Sequence, residues 1–64
     1  MDRFPETLKA LRNRAGYTQA ELADKAGISR GYLARLEIGR QDPTLSVLRG
    51  LAKALNVPVA RLVR

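Results

Sequence analysis

One glycine constrains this chain more than any other residue. Gly27 stands between two short runs of helical periodicity, so neither run can lengthen into a long helix. Before it, Leu22, Ala23 and Ala26 share one face. After it, Ile28 is followed by Ser29, a good N-cap, and then by Leu33 and Leu36 one turn apart. Two short helices must therefore meet at a tight turn, which Gly27 opens by taking positive φ. Ala23 is small where the second of these helices has to cross close over the first.

The flanking sequence continues the pattern. Phe4, Leu8, Leu11 and Ala15 recur at helical spacing, with Pro5 suited to the first turn and Gly16 to a left-handed stop. Thr18-Gln19-Ala20-Glu21 has the form of a capping box and starts the second helix. Gly39 closes the third helix. The loop Arg40-Gln41-Asp42-Pro43 leads to Thr44, the N-cap of a fourth helix over about 45–55 that is expected to bury Leu45, Leu48, Ala52 and Leu55. Asn56 suits another left-handed stop, and Pro58 opens a last turn or two carrying Val59, Leu62 and Val63. No segment alternates with period two. The expected fold is all-α, with five helices in a single domain over residues 1–64.

At 64 residues there is room for one domain with a thin core margin. The chain contains neither cysteine nor histidine. Disulfides, zinc fingers, thiol nucleophiles and the usual general base are excluded. Asp2, Glu6, Glu21, Asp24, Glu37 and Asp42 have no metal-ligand spacing, and there is no glycine-rich phosphate loop. We therefore expect no enzymatic activity, no cofactor and no metal. With no apolar run near about 20 residues and no signal-peptide pattern, the expectation is a soluble cytoplasmic protein without a membrane partner.

Charge directs attention to the second half. The net charge is +6, and residues 29–64 hold seven basic against two acidic side chains, while residues 1–28 hold five against four. A basic later half suits a polyanion, because Lys and Arg contacts release condensed counterions.

The stretch about 18–38 has the geometry of a helix-turn-helix. Around it the chain resembles the phage repressor/Cro-type (Xre-like) helix-turn-helix family, from about Leu8 to Leu62. The resemblance rests on Leu8-Lys9-Ala10-Leu11-Arg12, on Gly16 through Ala23, and on Ala26-Gly27-Ile28-Ser29. It continues through Tyr32 to Glu37, Gly39-Arg40, Pro43-Thr44-Leu45, and Leu51 to Val57. It implies a compact lambda-repressor-like domain that binds duplex DNA, and so associates with the nucleoid, in a transcriptional regulator such as a repressor.

By that resemblance a recognition helix at about 29–38 enters the major groove with its N-terminal residues at base edges. Ser29, Arg30, Gly31, Tyr32 and Arg35 are the candidate base readers. Arg30 and Arg35 lead, because a guanidinium can pair bidentately with guanine O6 and N7. Tyr32 could instead pack on the second helix. Gly31 costs about 1 kcal/mol relative to alanine within a helix, either for close approach to DNA or as a residue tolerated in a first turn. Thr18, Gln19, Arg40 and Thr44 are the candidate phosphate contacts, with Asp42 out of place in a basic loop. Arg12 and Glu37 are paired by the resemblance as a structural salt bridge that holds the recognition helix.

One such helix reads only a few base pairs, so a homodimer on two half-sites is expected, with Val57, Val59, Leu62 and Val63 serving as interface or core. Similar domains occur fused to a C-terminal effector domain. The rival reading is a protein-interaction module of the same fold, such as an antitoxin or a bridging coactivator. RNA ranks lower, since Phe4, Tyr17 and Tyr32 make no stacking platform for single strands.

Overall fold

Helix boundaries follow the local chemistry closely. The computed structural model describes residues 3–63, with helices α1 (Phe4–Ala15), α2 (Gln19–Ala26), α3 (Arg30–Glu37), α4 (Leu45–Leu55) and α5 (Val59–Val63). There is no strand among the described residues. Three N-caps stand where hydroxyl residues predict them. The Thr18, Ser29 and Thr44 hydroxyls accept from the amides of Glu21 (3.1 Å), Tyr32 (3.0 Å) and Val47 (3.1 Å). At Thr18 the box is complete, because the Thr18 amide donates to Glu21 Oε1 at 2.8 Å.

The helix ends share one device. After α2, Gly27 takes φ 74° and the Ile28 amide donates to the Ala23 carbonyl at 3.0 Å. After α4, Asn56 at φ 57° does the same, with the Val57 amide on the Ala52 carbonyl at 2.9 Å. These six-to-one bonds satisfy carbonyls that the helix leaves open and turn the chain sharply.

The core draws on all five helices: Phe4, Leu8, Leu11, Leu22, Leu33, Leu36, Leu48, Leu51, Leu55 and Leu62, with Ala23 and Ala52. α2 lies against both α3 and α4, while α1 packs on α3, α4 and α5. The whole measures 24 × 23 × 20 Å. Each fully buried leucine contributes about 1.5–3 kcal/mol of transfer free energy, so six of them dominate the favourable side.

Two core expectations are corrected. Leu45 is 57% exposed and Ala15 is exposed. Both sit at the end of an amphipathic stripe, Leu45 in the first turn of α4 and Ala15 in the last of α1. Periodicity assigns a residue to a face, but that face is buried only where another element covers it. Leu51, absent from the expected α4 stripe, is fully buried.

At Gly50 the backbone of α4 comes close to the end of α2. A Cβ there would stand 3.0 Å from the Ala26 carbonyl oxygen. α4 can cross the end of α2 at this distance only because residue 50 has no side chain.

Candidate nucleic-acid interface

Helical geometry separates α3 into two faces. Leu33, Leu36 and Glu37 are buried, and Tyr32 is half-buried against the core. Arg30, Gly31, Ala34, Arg35 and Ile38 fall within one outward arc, since residues three and four apart share a face. Four of these are exposed and Ala34 is half-buried. The structure thus brings together Arg30, Gly31 and Arg35 from the sequence-predicted readers. Ser29 is exposed just before them, its hydroxyl engaged as the cap. Tyr32 turns partly inward, and its ring lies 6.0 Å from the Arg35 guanidinium carbon.

Sequence reasoning missed Ala34 and Ile38. Their signal was the i, i+4 spacing from Arg30 to Ala34 to Ile38, which attention to charged residues passed over. Ile38 is 66% exposed. It is an exposed apolar side chain on the same arc as the two arginines.

Electrostatics agree with this placement. Helices α1 and α2 carry an acid in the first turn, Glu6 and Glu21, whereas α3 and α4 carry none. The positive ends of α3 and α4 therefore have no acidic side chain in their own first turns. Arg30 adds a further positive charge at the start of α3, against the local preference of the helix dipole.

A buried polar network fixes α3 from behind. Arg12 Nε donates to Glu37 Oε2 at 2.7 Å and Arg12 Nη2 donates to Glu37 Oε1 at 3.0 Å, a two-pronged pair. The side chains are only 11% and 2% exposed. Arg12 Nη1 also donates to the Tyr17 carbonyl at 2.9 Å, and Gln19 Nε2 donates to Glu37 Oε1 at 3.2 Å. The hydrogen bond and the charge of Glu37 raise the Arg12 pKa above its ordinary value, against desolvation, so the guanidinium stays charged. No buried side-chain nitrogen or oxygen among the described residues lacks a partner. The network ties α1, the start of α2 and the end of α3 into one frame.

The expected phosphate contacts occupy the rim of that frame. Thr18 is exposed at the N-terminus of α2, and Gln19 beside it is half-buried, its side-chain amide donating to Glu37. Arg40 and Thr44 are exposed at either end of the α3–α4 loop. Asp42 lies between them, also exposed. Leu45 follows Thr44, so exposed apolar groups flank this loop on both sides.

A matching sequence profile settles the family: the chain matches the helix-turn-helix family over residues 8–62. It belongs to this family. An immunity repressor protein of Bacillus phage phi105 is 43% identical over 58 residues, covering 91% of the chain and 40% of the repressor. The controller protein C.AhdI of a restriction-modification system from Aeromonas hydrophila superposes with a TM-score of 0.92 at 32% identity, covering 94% of this chain and 91% of that one. SinR, the master regulator for biofilm formation, in a crystal structure with DNA, superposes with a TM-score of 0.91 at 32% identity over 95% of this chain and 98% of that one. The helix-turn-helix chain spans two fifths of the phage repressor's length.

Among the described residues no cluster of acidic groups could hold a metal ion, and no helix is long and apolar enough to cross a membrane. A shallow cleft of about 320 Å³ lies between α1, the end of α4 and α5, and its lining contains Arg14 and Arg61 but no carboxylate. None of its residues belongs to the helix-turn-helix.

Proposed function

We propose that this chain is the sequence-reading domain of a transcriptional regulator and binds duplex DNA with α3 in the major groove. The observation that carries this reading is the outward arc of α3. Arg30, Gly31 and Arg35 share it, while the buried Arg12–Glu37 pair holds the helix from behind. Arg30 and Arg35 read base edges, guanine above all. Ser29 caps the helix and faces the groove wall, and Tyr32 supports Arg35. Thr18, Gln19, Arg40 and Thr44 bind phosphates on the two flanking strands. Gln19 suits this role because its amide can bond Glu37 and a phosphate together, locking the register of α2 to that of α3. Ile38 and Leu45 offer apolar surface to the sugars beside Arg40.

The domain works as a homodimer on two half-sites one helical turn apart, since one α3 covers only a few base pairs. Val57, Val59 and Val63 are half-buried at the α5 end and supply the apolar seam, while Leu62 is committed to the core.

The test is titration of fluorescent random-sequence duplexes at rising salt. Binding should weaken steeply, with each phosphate contact adding about −0.9 to the log–log slope. A flat response, or no binding at low salt, would remove duplex DNA as the partner.

A further inference from the structure

The cleft between α1, the end of α4 and α5 plays no part in the DNA-reading surface. Its apolar lining comes from two helices and a turn: Leu11 and Ala15 on α1, Leu55 at the end of α4, and Val57 just after it. Leu11 and Leu55 belong to the core and form the inner side. Ala15 continues the stripe of Phe4, Leu8 and Leu11, yet it is exposed, because no helix is laid over the last turn of α1. Apolar surface is therefore left open here, in a recess rather than on a convex face.

Two arginines complete the lining, from separate helices. Arg14 stands in the last turn of α1 and Arg61 in α5, and both are exposed. No carboxylate lines the cleft, and neither arginine is paired with one among the described residues. Arg12, one turn before Ala15, shows the contrast, since its carboxylate is supplied from within the fold by Glu37.

Small-molecule sites join an apolar surface to a few polar groups that fix orientation. Here every charged group of the lining has the same sign, and a guanidinium matches the planar fork of a carboxylate. The volume, about 320 Å³, lies at the low end of the range of about 300–1,000 Å³ for such sites. At about 30 Å³ for each non-hydrogen atom, the share of one water molecule in the liquid, it holds about ten such atoms.

We propose that this cleft binds a short aliphatic carboxylate. The chain lies on Leu11, Ala15, Leu55 and Val57, and the carboxylate is held between Arg14 and Arg61. The site is separate from the helix-turn-helix, so a ligand there leaves α3 uncovered. Val57 also belongs to the proposed apolar seam, which puts the ligand beside the contact between protomers. The proposal does not depend on base reading by α3.

The experiment is a titration of the chain with octanoate, followed by the NMR shifts of its methyl groups. Acetate and octylamine are titrated in parallel, the first lacking the chain and the second carrying the opposite charge. Octanoate should move the methyls of Leu11, Ala15, Leu55 and Val57 to saturation, and the other two should bind far more weakly. Arg14→Ala and Arg61→Ala should each weaken octanoate binding about tenfold, as for the loss of one charge-assisted hydrogen bond. Ala15→Leu should fill the recess and abolish binding, with little change in melting temperature because residue 15 is exposed.

The proposal is overturned if octanoate gives no saturable change in the wild type, or if the shifts fall on another face. Equal binding of octylamine would reduce the cleft to an apolar surface, and equal binding of acetate would reduce it to a basic one. Full binding by Ala15→Leu would place the ligand elsewhere.

Discussion

Glu37, near the end of α3, accepts both prongs of the Arg12 guanidinium, at 2.7 and 3.0 Å, across 25 residues of sequence. Both side chains lie inside the domain, where a charge without its partner is costly.

That burial sets the first prediction. Glu37→Ala leaves Arg12 charged and desolvated, which costs about 3–5 kcal/mol where burial is deep. A single core of this size supplies about 3–5 kcal/mol in total, so the variant should be largely unfolded at room temperature. Replacing the pair together, Arg12→Met with Glu37→Leu, should recover much of the loss because no orphan charge remains. A double-mutant cycle on urea unfolding without DNA measures the coupling. A value near zero would show that the pair does not hold α3.

The capping box gives a prediction in pH. Hydrogen bonds from Thr18 lower the Glu21 pKa below its ordinary value. A carboxylate depressed in the folded state stabilises it fully above the unfolded pKa of about 4.3, and that contribution is lost as pH falls through the folded value. Glu21→Gln keeps a capping acceptor but cannot titrate. The melting temperatures of wild type and Glu21→Gln should therefore differ at pH 7 and converge as acid protonates the Glu21 carboxylate. A gap that persists or widens in acid would contradict the sign of the shift.

Gly50 is a prediction of packing. Gly50→Ala gains helix propensity of about 1 kcal/mol, but its methyl meets the Ala26 carbonyl, and such overpacking costs about 1–3 kcal/mol. The collision should win because backbone on both sides has to move. Thermal melts should fall by several degrees, and a rise would mean that α4 can shift freely away from α2.

Base reading and phosphate binding separate by substitution. Arg35→Ala should cost about 1–3 kcal/mol on a selected duplex and relax preference at one base pair. Gln19→Ala should weaken selected and random duplexes alike, and should also lower stability slightly through the lost bond to Glu37. Competition binding with selected and random duplexes decides between them. Equal losses on both duplexes for Arg35→Ala would withdraw its base-reading role.

Much of this was legible along the chain because the determining physics is local. A hydroxyl three residues before an amide, or a glycine after an apolar stripe, acts within one turn, so Thr18, Ser29, Thr44 and Gly27 declare the helix ends without knowledge of the fold. The charge imbalance and the two arginines of α3 likewise needed only counting and spacing. The Arg12–Glu37 pair became an expectation through resemblance alone, since no local signal joins residues 25 apart.

What remained belongs to the assembled helices. Leu45 and Ala15 carry the periodicity of buried residues, yet are exposed, because coverage depends on where other helices end. Gly50 and Gly31 are the same residue type inside neighbouring helices, and the sequence offers no means to tell them apart. The crossing of α2 and α4 crowds one against the Ala26 carbonyl, while the other is left bare beside Arg35. The sequence by itself determined where each helix starts, stops and turns its apolar side, since those choices are made by groups within a few residues. Only the tertiary structure decided which surfaces are covered, because burial is a property of two elements meeting.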